Sequence, residues 1–162
     1  MVLSRRPYVP ARNQRLSAEQ YAIVGNVGFF TIRAYKQCMP FVVAELNEAV
    51  VATLLADRIR LGMELYVYCL MPDHLHVLIG PKEPGHSMLT FIDRFKGKST
   101  QLSWTHGWQG KLWQPRSYDH LVRRSEDLRA IAEYIMNNPV RKGLVGSSEA
   151  YPWSGLLDPL PW

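Results

Sequence analysis

Two cysteines in 162 residues, Cys38 and Cys69, are too few for a disulfide scaffold, and without CxxC spacing they build no thiolate zinc site. Both are expected to be small buried apolar residues. Long apolar runs are also missing. The longest, Phe41 to Val43 and Leu65 to Met71, fall well short of the ~20 residues needed to cross a bilayer. Behind Arg5 and Arg6, the stretch Pro7 to Arg15 is polar and broken by proline where a secretory leader needs continuous apolar residues. A cytoplasmic location is expected, with no membrane partner. Acidic residues are in deficit as well: 14 Asp and Glu stand against 19 Lys and Arg, a formal charge of +5 that favours an anionic partner, nucleic acid first.

What is present fits one ordinary core, since 47% of the residues are apolar and neither an internal repeat nor a linker divides the chain. Residues 1–20, with Arg5, Arg6, Arg12 and Arg15, read as a basic N-terminal arm, and 21–162 as a single domain. Val27 to Tyr35 is β-branched and aromatic and predicts a strand. Phe41 to Leu61 has helical spacing and is closed by Gly62. Leu65 to Met71 and His74 to Ile79 predict a hairpin turning at Pro72 and Asp73. Ser87 to Trp104 predicts a second helix disturbed near Gly97, and Leu112 to Val122 an extended segment. A third helix is expected from an N-cap at Ser125 to about Asn138, stopped by Pro139. This order predicts an α+β fold, an antiparallel sheet with helices packed on it, of the ferredoxin-like or RNA-recognition-like (RRM-like) kind.

Within MPDHLHVLIG, a strand's period of two puts His74 and His76 on one face and Leu75 and Val77 on the other. Two such imidazoles read either as ligands of a divalent cation or as an exposed pair without a ligand. Histidine-triad hydrolases need a third histidine, but Leu78 stands at that position. Along the third helix Leu128, Ile131 and Ile135 form an apolar stripe, with Tyr134 and Asn138 stacked one turn apart at its edge. An amide buried there needs a polar partner. The chemistry that fits is phosphodiester cleavage by a tyrosine hydroxyl, with a cation stabilising charge on the scissile phosphate. Packing is the ordinary role of any one of eight tyrosines, and Tyr118, in the extended segment, is the rival nucleophile.

Single-strand binding needs cations that follow phosphates and flat surfaces for bases. Arg94, Lys96 and Lys98 on the second helix, Arg116, Arg123 and Arg124 before the third, and Arg141 and Lys142 after Pro139 are the candidates. Trp104, Trp108 and Trp113 read either as stacking surfaces or as core.

The runs MPDHLHVLIGP, LWQPRSYDHLVRRSEDL and EYIMNNPVRKGLV, followed by YPWSG, resemble the REP-associated tyrosine transposases and the wider single-tyrosine transposases of small insertion sequences. The resemblance covers roughly Leu65 to Gly155. It implies the HUH nuclease fold, with Mg²⁺ or Mn²⁺ held by His74, His76 and a side chain one turn after the tyrosine, here Asn138. It also implies a 5′-phosphotyrosine bond formed by Tyr134, and single-stranded or hairpin DNA as substrate. Insertion-sequence members often carry glutamine where Asn138 stands, and they act as dimers, whereas REP-associated ones can act as monomers, so monomer and homodimer both stay open. A non-catalytic DNA-binding or regulatory module on the same fold is the alternative, against which the intact His, His, Tyr and Asn set argues.

Overall fold

The computed structural model describes residues 6–12 and 15–162, which leaves Arg5 of the expected arm outside the described residues. Val27–Arg33 forms β1, Ala44–Arg60 α1, Met63–Met71 β2 and His74–Pro81 β3. Met88–Trp104 forms α2, Tyr118–Val122 β4, Leu128–Met136 α3, Asn138–Arg141 the short α4, and Ser154–Leu156 β5. The strands make one antiparallel sheet in the order β4-β1-β3-β2-β5. The first four, with α1 and α2 as their crossovers, reproduce the expected ferredoxin-like arrangement.

Strand alternation sorts the side chains into two cores. Phe30, Ile32, Leu75, Val77 and Ile79 face α1 and α2, whereas Val27, Phe29, Leu78 and Val122 face Leu128, Ile131 and Ile135 of α3. With helices on both faces, β3 is buried over its whole length. A register shift between Leu65 and Val67 places Tyr66 and Val67 on the same face, that of α3.

Several local expectations change. The helix α2 runs unbroken through Gly97, where the missing side chain faces open space. Asp127, not Ser125, caps α3 by accepting from the Ala130 amide. Of Leu112 to Val122, only the last five residues are strand, and Trp113 makes a single bridge to Ala34. The third helix ends at Met136, before the expected Asn138, because Pro139 offers no N–H to the Ile135 carbonyl and its ring crowds that turn; Asn138 opens α4 instead. Strand β5 was not expected. It lies on the edge of β2, where a Cβ on Gly155 would sit 2.8 Å from the Tyr68 ring, which accounts for the glycine in YPWSG. Cys69 is buried and its thiol is pushed up to about 12 by desolvation, but Cys38 is exposed because its turn leads the chain out of the sheet. No helix among the described residues is long and apolar enough to cross a membrane.

Candidate active site

The β2–β3 hairpin turns at Pro72 and Asp73, as expected, and is held from both sides: Ala34 N–H donates to the Asp73 carbonyl at 2.8 Å and Phe41 N–H to that of Pro72 at 3.1 Å. Immediately after it, His74 and His76 emerge on the α3 face, both 7% exposed. Each imidazole is oriented through its Nδ1 atom. His74 Nδ1 lies 2.6 Å from the Asp73 carboxylate, and His76 Nδ1 lies 2.9 Å from Thr31 Oγ1, its register partner on β1. The two Nε2 atoms then converge to 3.1 Å.

Burial depresses the pKa of both rings. For His74 the neighbouring Asp73 works against this. For His76 the charges of His74, Arg141 and Arg33 add to it, and its value falls well below the usual range. Two neutral imidazoles facing one point are the state that ligates metal. With His74 Nδ1 donating to Asp73, its Nε2 is left as an acceptor, and the buried Asn138 amide reaches it at 3.1 Å. A half-turn of that amide presents Oδ1 to the same point. The kink between α3 and α4 aims Asn138 inward.

Tyr134 is half-buried on the edge of α3, its ring centroid 6.3 Å from that of His76. The Arg141 guanidinium lies 3.9 Å from the centre of the phenol ring, and Tyr8 of the N-terminal arm packs edge-on against it at 5.2 Å. A cleft of about 390 Å³ opens beside these residues, lined by Thr31, Arg33, His76, Arg116, Tyr118 and Tyr134 among others. Tyr118 thus shares the cleft, but its hydroxyl donates to the Ala11 carbonyl at 2.5 Å.

The model of the family described as "Transposase IS200 like" matches residues 36–138, well over half of the chain, and its span contains both histidines, Tyr134 and Asn138. The chain belongs to the IS200-like transposase family. It is 26% identical over 135 residues to the REP-associated tyrosine transposase of Escherichia coli K12, covering 83% of this chain and 79% of that one. A solved REP-associated tyrosine transposase bound to a REP hairpin shares the fold, with a TM-score of 0.70 at 21% identity over 86% of this chain and 82% of that one.

The fold of this IS200-like chain divides the expected DNA contacts by place. Arg116 lines the cleft, Arg141 lies on Tyr134, and the exposed Lys142 is close enough for its charge to oppose protonation of His74. The cations of α2 sit across the sheet from the histidines. There Lys96 donates to the Gln114 and Pro115 carbonyls at 2.7 and 3.2 Å, Lys98 pairs with the buried Asp57 at 3.0 Å, and Arg94 is exposed. Arg123 and Arg124 follow Val122, which pairs with Val27 at the end of β1 opposite to Arg33 and His74, and Arg124 stacks on Trp162. Trp113 is core, Trp108 is partly buried against it, and Trp104 is 53% exposed. Thr31, Arg33, Asp73 and Gln114 were not anticipated. Thr31 and Arg33 alternate on β1, a pattern that acquires meaning only once β1 is known to pair with β3.

Proposed function

We propose that the chain is a metal-dependent single-strand DNA endonuclease and strand transferase, with Tyr134 as nucleophile, acting beside hairpin or palindromic repeats. The observation that carries this reading is the convergence of His74 Nε2, His76 Nε2 and the Asn138 amide within about one hydrogen-bond length, next to the phenol that borders the cleft. The donor set fits a divalent cation: both imidazoles are kept neutral, both Nδ1 atoms are engaged elsewhere, and a 3.1 Å separation lets both nitrogens reach one ion at roughly 2.0–2.1 Å. Two imidazole nitrogens with one amide oxygen suit a transition metal such as Mn²⁺, with water and phosphate completing the shell, and Mg²⁺, which prefers oxygen, should bind there more weakly. Bound there, the ion would supply charge stabilisation to the scissile phosphate.

The chain's own residues do the rest. Arg33 and Arg116 draw the strand into the cleft, and Asp73 and Thr31 hold the imidazoles in place. The Tyr134 oxygen attacks phosphorus, the bond to the 3′-oxygen breaks, the phenolic proton passes to solvent and the departing 3′-oxygen takes one up. The resulting 5′-phosphotyrosine keeps the phosphodiester energy, so another 3′-hydroxyl reverses the step without a nucleotide cofactor. Hairpin preference follows from the relative solved with a REP hairpin. The test is incubation of the protein with labelled single strands from the flanks of its own gene, with Mn²⁺ and with EDTA. An SDS-stable protein–DNA adduct formed only with Mn²⁺ is expected; binding without any adduct would leave a non-catalytic DNA-binding module.

A further inference from the structure

The cleft beside Tyr134 does not end at Arg116. A second cavity of about 460 Å³, lined by Tyr35, Lys36, Gln114, Pro115 and Arg116, shares Gln114 and Arg116 with it, so the two form one groove leading away from the nucleophile. Tyr35 stands at its far end, half-buried, with two ammonium groups beside its ring: Lys36 Nζ is 5.4 Å and Lys111 Nζ 5.3 Å from the centroid. Neither lysine has a carboxylate partner among the described residues, and no Asp or Glu lines either cavity. The turn that holds Lys36 against the ring is strained. Lys36 and Gln37, with φ of 51° and 57°, are the two non-glycine residues in the left-handed region among the described residues. Both side chains are exposed, so the turn presents Lys36 to solvent beside the ring. Backbone pairing fixes the platform, Tyr35 N–H donating to the Leu112 carbonyl at 2.9 Å and Gln114 N–H to that of Arg33 at 2.9 Å.

We propose that Tyr35, with Lys36 and Lys111, is a nucleotide-binding subsite that stacks one base of the single strand and holds its phosphates, further along the groove from the scissile phosphodiester. The proposal rests on the nuclease reading for its substrate. An aromatic ring in a positively charged groove is what sequence-tolerant single-strand binding uses, and exposed cation–π contacts are weak enough to be exchanged for phosphates.

The experiment uses the full chain as Tyr134→Phe in EDTA, so that binding is read without cleavage, with single strands from the gene's flanks carrying one 2-aminopurine at successive positions. Fluorescence quenching is expected at one position, lost in Tyr35→Ala and retained in Tyr35→Phe. Replacing Lys36 and Lys111 together by alanine should flatten the slope of log Kd against log salt by about 2. A purely structural turn would leave both readouts unchanged in every variant and would overturn the proposal. Adduct formation by the unmutated chain on the same strands is followed in parallel. An adduct without Tyr35-dependent quenching overturns the subsite and leaves the nuclease standing, whereas Tyr35-dependent quenching without an adduct supports the subsite and removes the nuclease reading.

Discussion

His74 and His76 are held by different anchors, a carboxylate one residue away and a threonine on the neighbouring strand, yet their Nε2 atoms meet at one point, so their substitutions should act alike. Alanine at either histidine is expected to abolish Mn²⁺-dependent cleavage while leaving strand affinity nearly unchanged in EDTA, because phosphate contacts supply most of the binding. Equal loss of both in a folded variant would mean a structural pair. Asn138→Ala should raise the Mn²⁺ concentration for half-maximal adduct formation, and Asn138→Gln should do so less, since it restores an amide oxygen; metal dependence unchanged by alanine would remove Asn138 from the site. The depressed pKa of His76 also sets a pH dependence in the metal-free protein. Above about pH 6.5 the ring is neutral folded and unfolded, with no linkage. As pH falls below that value the unfolded chain takes up a proton that the folded site refuses, so stability declines. Thermal unfolding in EDTA should show Tm falling from pH 7 to pH 5, with a shallower fall in His76→Gln. Much of this site was legible in the sequence, because the HxH spacing and the tyrosine-to-asparagine turn are short-range periodicities. Asp73 stood in view beside His74, whereas Thr31 and Arg33 depend on a strand pairing across some forty residues.

At the scale of elements, the long periodic segments were readable, and the face of the sheet on which they place their cations was not. Helical spacing located α1 and α2, and the hairpin was evident from Pro72 and Asp73, but spacing says nothing about which face of the sheet a helix covers. Arg94, Lys96 and Lys98 therefore look like DNA contacts in sequence and lie across the sheet from the histidines in the fold. Strand β5 was hidden for a related reason: three partly exposed residues show no alternation and are strand only through the edge of β2. Lys98 balances the buried Asp57, and Lys96 ties down the loop that carries Arg116. Lys98→Ala is expected to cost about 1 kcal/mol of stability, measured by denaturant unfolding, because the half-exposed lysine is screened by solvent and Arg60 still bonds the buried Asp57 carboxylate at 3.1 Å. The salt slope of strand binding should not change with it. Arg116→Ala should do the reverse, keeping stability and lowering that slope by about 1. A slope that falls with Lys98→Ala instead would make α2 a DNA surface.

On the scale of the whole molecule, the sheet separates labour between its faces. One face builds the larger core with α1 and α2, and the other carries α3, the histidines and the cleft. The described part of the N-terminal segment is held on both faces: Arg15 and Tyr21 bond the buried Asp119 on the side of α1 and α2, whereas on the side of the histidines Tyr118 donates to the Ala11 carbonyl and Tyr8 packs edge-on against Tyr134. Two phenols of the cleft are thus in contact with the arm, and both face the same space, which makes the identity of the nucleophile the point on which the account turns. The most direct measurement is adduct formation on Mn²⁺-loaded protein by Tyr134→Phe and Tyr118→Phe side by side, with the linked residue of the unmutated chain mapped by peptide mass spectrometry. The account predicts that Tyr134→Phe folds, binds the strand and gives no adduct, that Tyr118→Phe still forms it, and that the nucleotide is found on the peptide containing Tyr134. An active Tyr134→Phe beside an inactive Tyr118→Phe, with the nucleotide on Tyr118, would contradict it.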